Sequence, residues 1–214
     1  MNFFNFEKQT TFVSSELLNK RFGVSTLTLA AKSTVTFHGL IYLSNYIEFV
    51  GDCFLGSGSC INSGSYLENV KFGKNNNVRQ HSVMVNCTAA DENIFGPFCF
   101  VRDFCSIGNN CIVGSHVEMT RSSIKDNVKV SHQSFIGDAK IQSNVTVGAS
   151  VVFCNHDGTS KKKSVVENNT LIGSGSLLIA PTKIGSDVTI GAGSVVKGVV
   201  ASGSKIIQKR QPTE

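Results

Sequence analysis

Aliphatic and other apolar side chains recur along most of this chain at every sixth position. Counting back from Val196, the step of six meets Ile190, Ile184, Leu178, Ile172 and Val166. Phe153, Val147 and Ile141 carry it on, then Ile136, Val130 and Ile124, then Met119, Val113, Ile107, Val101 and Phe95. Met84, Val78 and Phe72 lead to Leu67, Ile61, Leu55 and Phe49, with an occasional five-residue step between groups. This period suits neither a helix, at about 3.6 residues, nor an alternating strand, at about 2. It suits a coil of three short strands, each sending one apolar residue into a prism while Gly, Ser, Ala or Asn turns the corners. Stacked coils bury a continuous column, and each coil's backbone bonds to the next. Roughly 25 hexads between Phe49 and Val196 predict about eight such coils. The expected fold is all-β, a left-handed parallel β-helix of hexapeptide repeats.

The pattern is interrupted in three places. Thirteen residues separate Phe153 from Val166 where two hexads take twelve, and the segment from Cys154 to Lys163 is polar. A loop is expected to leave the prism there, near residues 154–164. A smaller bulge is expected near Ala89-Ala90-Asp91. Residues 1–35 lack the repeat, and Ser14 to Gly23 reads as a short helix with a serine cap and a terminal glycine. The domain expectation is an N-terminal cap over residues 1–35, closing strand edges that would otherwise be open, and a β-helix with its tail over residues 36–214.

Composition narrows the class. Twenty Lys and Arg stand against fifteen Asp and Glu, an excess of +5. The excess is spread along the chain apart from Lys161-Lys162-Lys163, which suits a small anionic ligand. No basic helix or aromatic-basic stripe points to nucleic acid. No apolar run approaches the ~18 residues of a transmembrane segment, and the N-terminus does not read as a signal peptide. Seven cysteines without a CxxC pair read as reduced packing residues, hence a cytoplasmic protein.

From about residue 94 onward the chain resembles a known family. The matching stretches are Gly96-Pro97-Phe98 with Arg102, then Gly114-Ser115-His116-Val117-Glu118-Met119, then His132 and Gly137-Asp138-Ala139. Asn155-His156-Asp157-Gly158 with Lys161, Ile179-Ala180-Pro181, and Arg210 with Pro212 follow in the same order. Together they resemble the hexapeptide-repeat acetyltransferase domain of the bacterial bifunctional enzyme that makes UDP-N-acetylglucosamine, standing without its uridylyltransferase domain. The resemblance implies a homotrimer that uses acetyl-CoA as co-substrate, needs no metal for acetyl transfer, and N-acetylates glucosamine-1-phosphate or a close amino-sugar phosphate in cell-envelope sugar synthesis. A different, nucleotide-linked amino sugar is the alternative acceptor. A non-catalytic trimeric scaffold for a separate nucleotidyltransferase is the alternative of another class.

The resemblance also assigns residues. His132 falls on the general base, a role that suits an imidazole because the acceptor ammonium must shed a proton near pH 7; a histidine on an outward corner can equally be merely solvated. Glu118 falls on the acidic neighbour of that base. Arg102 and Thr120 fall on two basic positions that grip the sugar phosphate, stacked on one face because eighteen residues separate them. Thr120 has lost its charge, at a cost of about 1–3 kcal/mol if nothing replaces it, and the strand register aims Arg121 elsewhere. Phe135, Thr146 and His156 stand where the family has Tyr, Asn and Tyr, while Asn155 and Lys161 are retained at the acceptor. Ala149, Ser174 and Ala192 fall on the small positions beside the pantetheine arm of the coenzyme, and Arg210, with Lys209 as the alternative, near its nucleotide phosphates. Transfer is expected to be direct, with Cys154 a packing residue. A zinc site built from stacked histidines is disfavoured, since His116 and His132 lie at different steps of the repeat.

Overall fold

A computed structural model describes residues 2–208. They form a parallel β-solenoid of about ten turns, the left-handed hexapeptide-repeat β-helix expected, with one short helix at its start. One coil shows the plan. Strands Phe100–Arg102, Ser106–Ile107 and Ile112–Ser115 lie on three successive faces. The next coil supplies Glu118–Thr120, Ser123–Ile124 and Lys129–His132, paired in parallel with the first set. Val101 and Val113 are fully buried and Ile107 nearly so, each the single inward residue of its strand. Corners are turned by residues of positive φ. At one corner Asn110, Asn127, Asn144, Asn169 and Asp187 take this conformation, which short polar side chains tolerate best. Their side chains bond from coil to coil at 2.8–3.2 Å.

The apolar column runs beyond the stretch the repeat marked. Leu43 and Phe37 continue the six-residue step and are fully buried. They belong to strand Thr34–Leu43, while Leu27–Leu29 pairs in parallel with Ile47–Val50, so coil pairing starts at Leu27. The bulge expected near Ala89 is absent. Thr88–Ala89 pairs in register with both neighbouring coils, and Ala89 is the inward residue between Met84 and Phe95. Its small side chain hides it from an aliphatic pattern.

The first strand, Asn2–Phe12, runs antiparallel along Thr34–Leu43. Helix Ser15–Phe22 follows, its Ser14 side chain accepting from Leu17 N–H and Gly23 closing its C-terminus at φ +64°. This is capping by the residue types such ends favour. Phe6, Phe12 and Phe22 pack on Phe37 with ring centroids 5.4–5.7 Å apart, closing the end of the column. At the expected interruption the chain does leave the prism between Cys154 and Ser164, held as a small excursion by a bridge between His156 and Lys161. Pairing of Ala139–Ile141 with Ser164–Val166 resumes the coil in register.

Candidate functional site

One corner of the prism carries the predicted base and the predicted coenzyme residues in a single file. The amide of Gln133 donates to the carbonyl of Ser115, that of Ser150 to His132, that of Gly175 to Ala149, and that of Gly193 to Ser174. Ser115, His132, Ala149 and Ser174 are therefore equivalent positions on successive coils, and Ala192, the residue before Gly193, continues the file. His132 is exposed at the end of strand Lys129–His132, opposite Ser115. It faces a shallow groove whose walls include Arg79, Pro97, Ile112 and Gly114. A Cβ at Gly114 would stand 1.7 Å from the Ser131 carbonyl oxygen, so only glycine lets the His132 strand close on its neighbour. Thr146 lies on the face leading into this corner, between Lys129 and Leu171. His116 sits one step past Ser115 and aligns with Gln133, so the two histidines do not stack. Instead His81, Phe98 and His116 form a ladder of rings 5.2–5.3 Å apart.

Across the corner, a polar cluster covers the adjoining face. Strand pairing sets Arg102 opposite Thr120 and Thr120 opposite Gly137, and Glu118 opposite Phe135. Arg102 donates to Glu118 Oε1 at 2.7 Å and to Asp103 Oδ2. Glu118, expected beside the histidine, thus has its carboxylate on Arg102. Thr120 Oγ1 donates to Asp103 Oδ2 at 2.8 Å. Arg121 does not point elsewhere. It joins the cluster through Asp103 Oδ2 at 3.1 Å and through both oxygens of Asp138 at 2.8 and 3.0 Å. The reason is its φ of +47° at the corner, which ends the strand's alternation and swings the side chain back over the face.

Asn155 begins the loop. It is buried and donates from Nδ2 to Asp138 Oδ2 at 2.6 Å. Gly137 makes room for this. A Cβ there would lie 2.4 Å from Asn155 Nδ2 and 2.7 Å from the Phe135 ring. His156 Nδ1 accepts from the Gly158 amide, and Asp157 Oδ1 accepts from the amides of Thr159 and Ser160, so both shape the loop. Lys161 is exposed, and its charge helps to lower the Asp138 pKa. Arg121 holds the Asp138 carboxyl below the usual carboxylate range, and Thr120, then the two arginines, do the same for Asp103. Glu118 in turn raises the Arg102 pKa.

The expected residues thus fall into two neighbouring groups, the corner file and the face with its loop. Lys209 and Arg210 lie outside the described residues. Asp103, Arg121 and Asp138 complete the cluster beyond the residues the sequence points to, and the signal that links them is their spacing of about one coil, eighteen residues from Asp103 to Arg121 and seventeen from Arg121 to Asp138. Among the described residues no group of three His, Cys, Asp or Glu is placed to hold a metal.

Fold and repeat together define a hexapeptide-repeat β-helix protein, and the family model described as "Bacterial transferase hexapeptide (six repeats)" matches residues 163–198. The relatives are more particular. The chain is 37% identical over 159 residues to the bifunctional protein GlmU of Prochlorococcus marinus (strain MIT 9211), covering 74% of this chain and 35% of that protein. It is 39% identical over 154 residues to GlmU of Prochlorococcus marinus (strain MIT 9313), covering 72% and 34%. GlmU of Baumannia cicadellinicola is 36% identical over 169 residues, covering 79% and 36%. The chain therefore spans about a third of the length of the curated relatives it matches. The matched stretch is longer than the segment from residue 94 onward, so the likeness reaches further upstream than the motifs alone suggested.

Proposed function

We propose that this protein is an acetyl-CoA-dependent N-acetyltransferase acting on an amino sugar in UDP-N-acetylglucosamine or related cell-envelope sugar synthesis. The observation that carries the proposal is the corner file itself. His132 stands at one end of a ledge of small residues, Ala149, Ser174 and Ala192, beside the cluster of Arg102, Glu118 and Asn155. The ledge fits an extended coenzyme arm, because a side chain at Gly175 or Gly193 would meet nothing within 4 Å and Ser174 and Ala192 are exposed. Acetyl-CoA supplies the activated acetyl group when bound.

The work of the chain is on the acceptor. An amine attacks only as its free base, so the exposed imidazole of His132 takes the proton as the new C–N bond forms and the thiol departs. Asn155, fixed by Asp138, and Lys161 on the loop hold the sugar. No thiol is needed as nucleophile, and Cys154 is half-buried. The resemblance points to glucosamine-1-phosphate as acceptor. A nucleotide-linked amino sugar is the second reading, favoured by the changes at Thr120, Phe135, Thr146 and His156.

A homotrimer fits an outward row of Tyr66, Val83, Phe100, Phe135, Val152, Leu177 and Val195, aligned coil upon coil and interrupted by Glu118 alone. Such a stripe favours burial against another copy. The cysteines, none of them in a disulfide, and the co-substrate suit a cytoplasmic setting. Among the described residues no helix is long and apolar enough to cross a membrane.

Thiol release from acetyl-CoA with glucosamine or glucosamine-1-phosphate tests the reading. His132→Ala is expected to lower kcat by about 10²–10⁴ while leaving the melting curve unchanged. A variant as active as the parent would remove the base, and a parent inactive on every amino sugar would remove the enzyme.

A further inference from the structure

Three donors converge on one oxygen in the cluster beside the site. Arg102 and Arg121 both reach Asp103 Oδ2, and the Thr120 hydroxyl donates to the same atom at 2.8 Å. Two guanidinium groups and a hydroxyl around a single anionic oxygen form a donor set suited to a ligand's phosphate or carboxylate. Here a side chain of the protein fills it. Arg102 also donates to Glu118, and Arg121 also donates to Asp138 and to the Thr120 hydroxyl oxygen at 2.8 Å. Two guanidinium charges thus face three carboxylates, with Lys161 the further cation acting on Asp138.

A phosphate arriving at Arg102 would have to displace Asp103 and then sit against its charge. A neutral hydroxyl meets no such opposition and finds carboxylate oxygens to donate to. The Asp103 side chain is 40% exposed, so solvent softens the repulsion but leaves its sign unchanged.

We propose that Asp103 stands in for an acceptor anion and sets the acceptor class, an amino sugar that presents hydroxyl groups rather than a phosphate to Arg102 and Arg121. The proposal rests on the amino-sugar reading of the site and refines it, excluding glucosamine-1-phosphate as the preferred acceptor.

Asp103→Asn tests it. The residue has φ +58°, which asparagine adopts as readily as aspartate, so the corner survives the exchange. Wild type and variant are compared in kcat/KM for glucosamine and glucosamine-1-phosphate, and in direct titration with inorganic phosphate. The wild type is expected to prefer glucosamine. The variant should shift the ratio toward glucosamine-1-phosphate by about tenfold or more and bind inorganic phosphate more tightly by a similar factor. A wild type that prefers glucosamine-1-phosphate, or equal phosphate binding by the two proteins, overturns the proposal. Absence of acetyl transfer to either sugar counts against the enzymatic reading, and the phosphate titration then still decides the role of Asp103.

Discussion

Asp138 ties together three parts of the site: the bidentate Arg121, the loop residue Asn155 and the corner after Gly137. Its carboxyl is held below the usual carboxylate range chiefly by Arg121, with Asn155 assisting. The unfolded chain therefore binds this proton at a higher pH than the native one does. The associated stability is complete above the unfolded value of about 3.9 and is lost as pH falls through the lower, native value. Thermal melts from pH 6 down to pH 2 should show Tm dropping below about pH 4, and Asp138→Asn should flatten that part of the profile while lowering Tm at neutral pH. At this scale the sequence was only partly legible. His132 and Asn155 stood out because their neighbours match a family. Arg121 was misread because alternation along a strand holds only while φ stays negative, and nothing in the residue type announces the corner.

Strand Lys129–His132 illustrates how an element positions chemistry. It is one of the longer strands of its face, and it extends to His132 because Gly114 allows Ser131 to approach. Gly114→Ala should separate the paired ends at Ser115 and His132 and cost about 1–3 kcal/mol of stability, read by urea titration. On the proposed function, acetyl transfer should fall with kcat more than with KM, since the imidazole is displaced while the face proposed to hold the sugar is untouched. Elements were the most legible level of the fold. One inward apolar residue per hexad recurs while the residues between differ from coil to coil, and the thirteen-residue gap before Val166 marks the loop. Two features escaped. Ala89 is too small to register as a column residue, and Thr34–Leu43 runs as one continuous strand, so the small residues that punctuate other corners are sparse there.

Across the whole molecule each coil touches only its neighbours, so stability accumulates along one dimension and the ends are the weak points. The strand Asn2–Phe12 and the helix after it cover the edge of Thr34–Leu43 and the ring of Phe37. Removing residues 1–24 should expose both, and light scattering should then report association at concentrations where the full chain is clear. The cysteines have a consequence of another kind. Cys53, Cys87, Cys99, Cys105 and Cys111 are buried, and burial pushes these thiols up, to about 11 for Cys99, Cys105 and Cys111. In the closed solenoid they are shut away from solvent, and an alkylating reagent finds them only when a coil opens. Their order of labelling is thus a stopwatch set into the column: if Cys53 near the capped end reacts before the cluster at mid-length, the solenoid frays from its start, and the reverse order means that it parts in the middle.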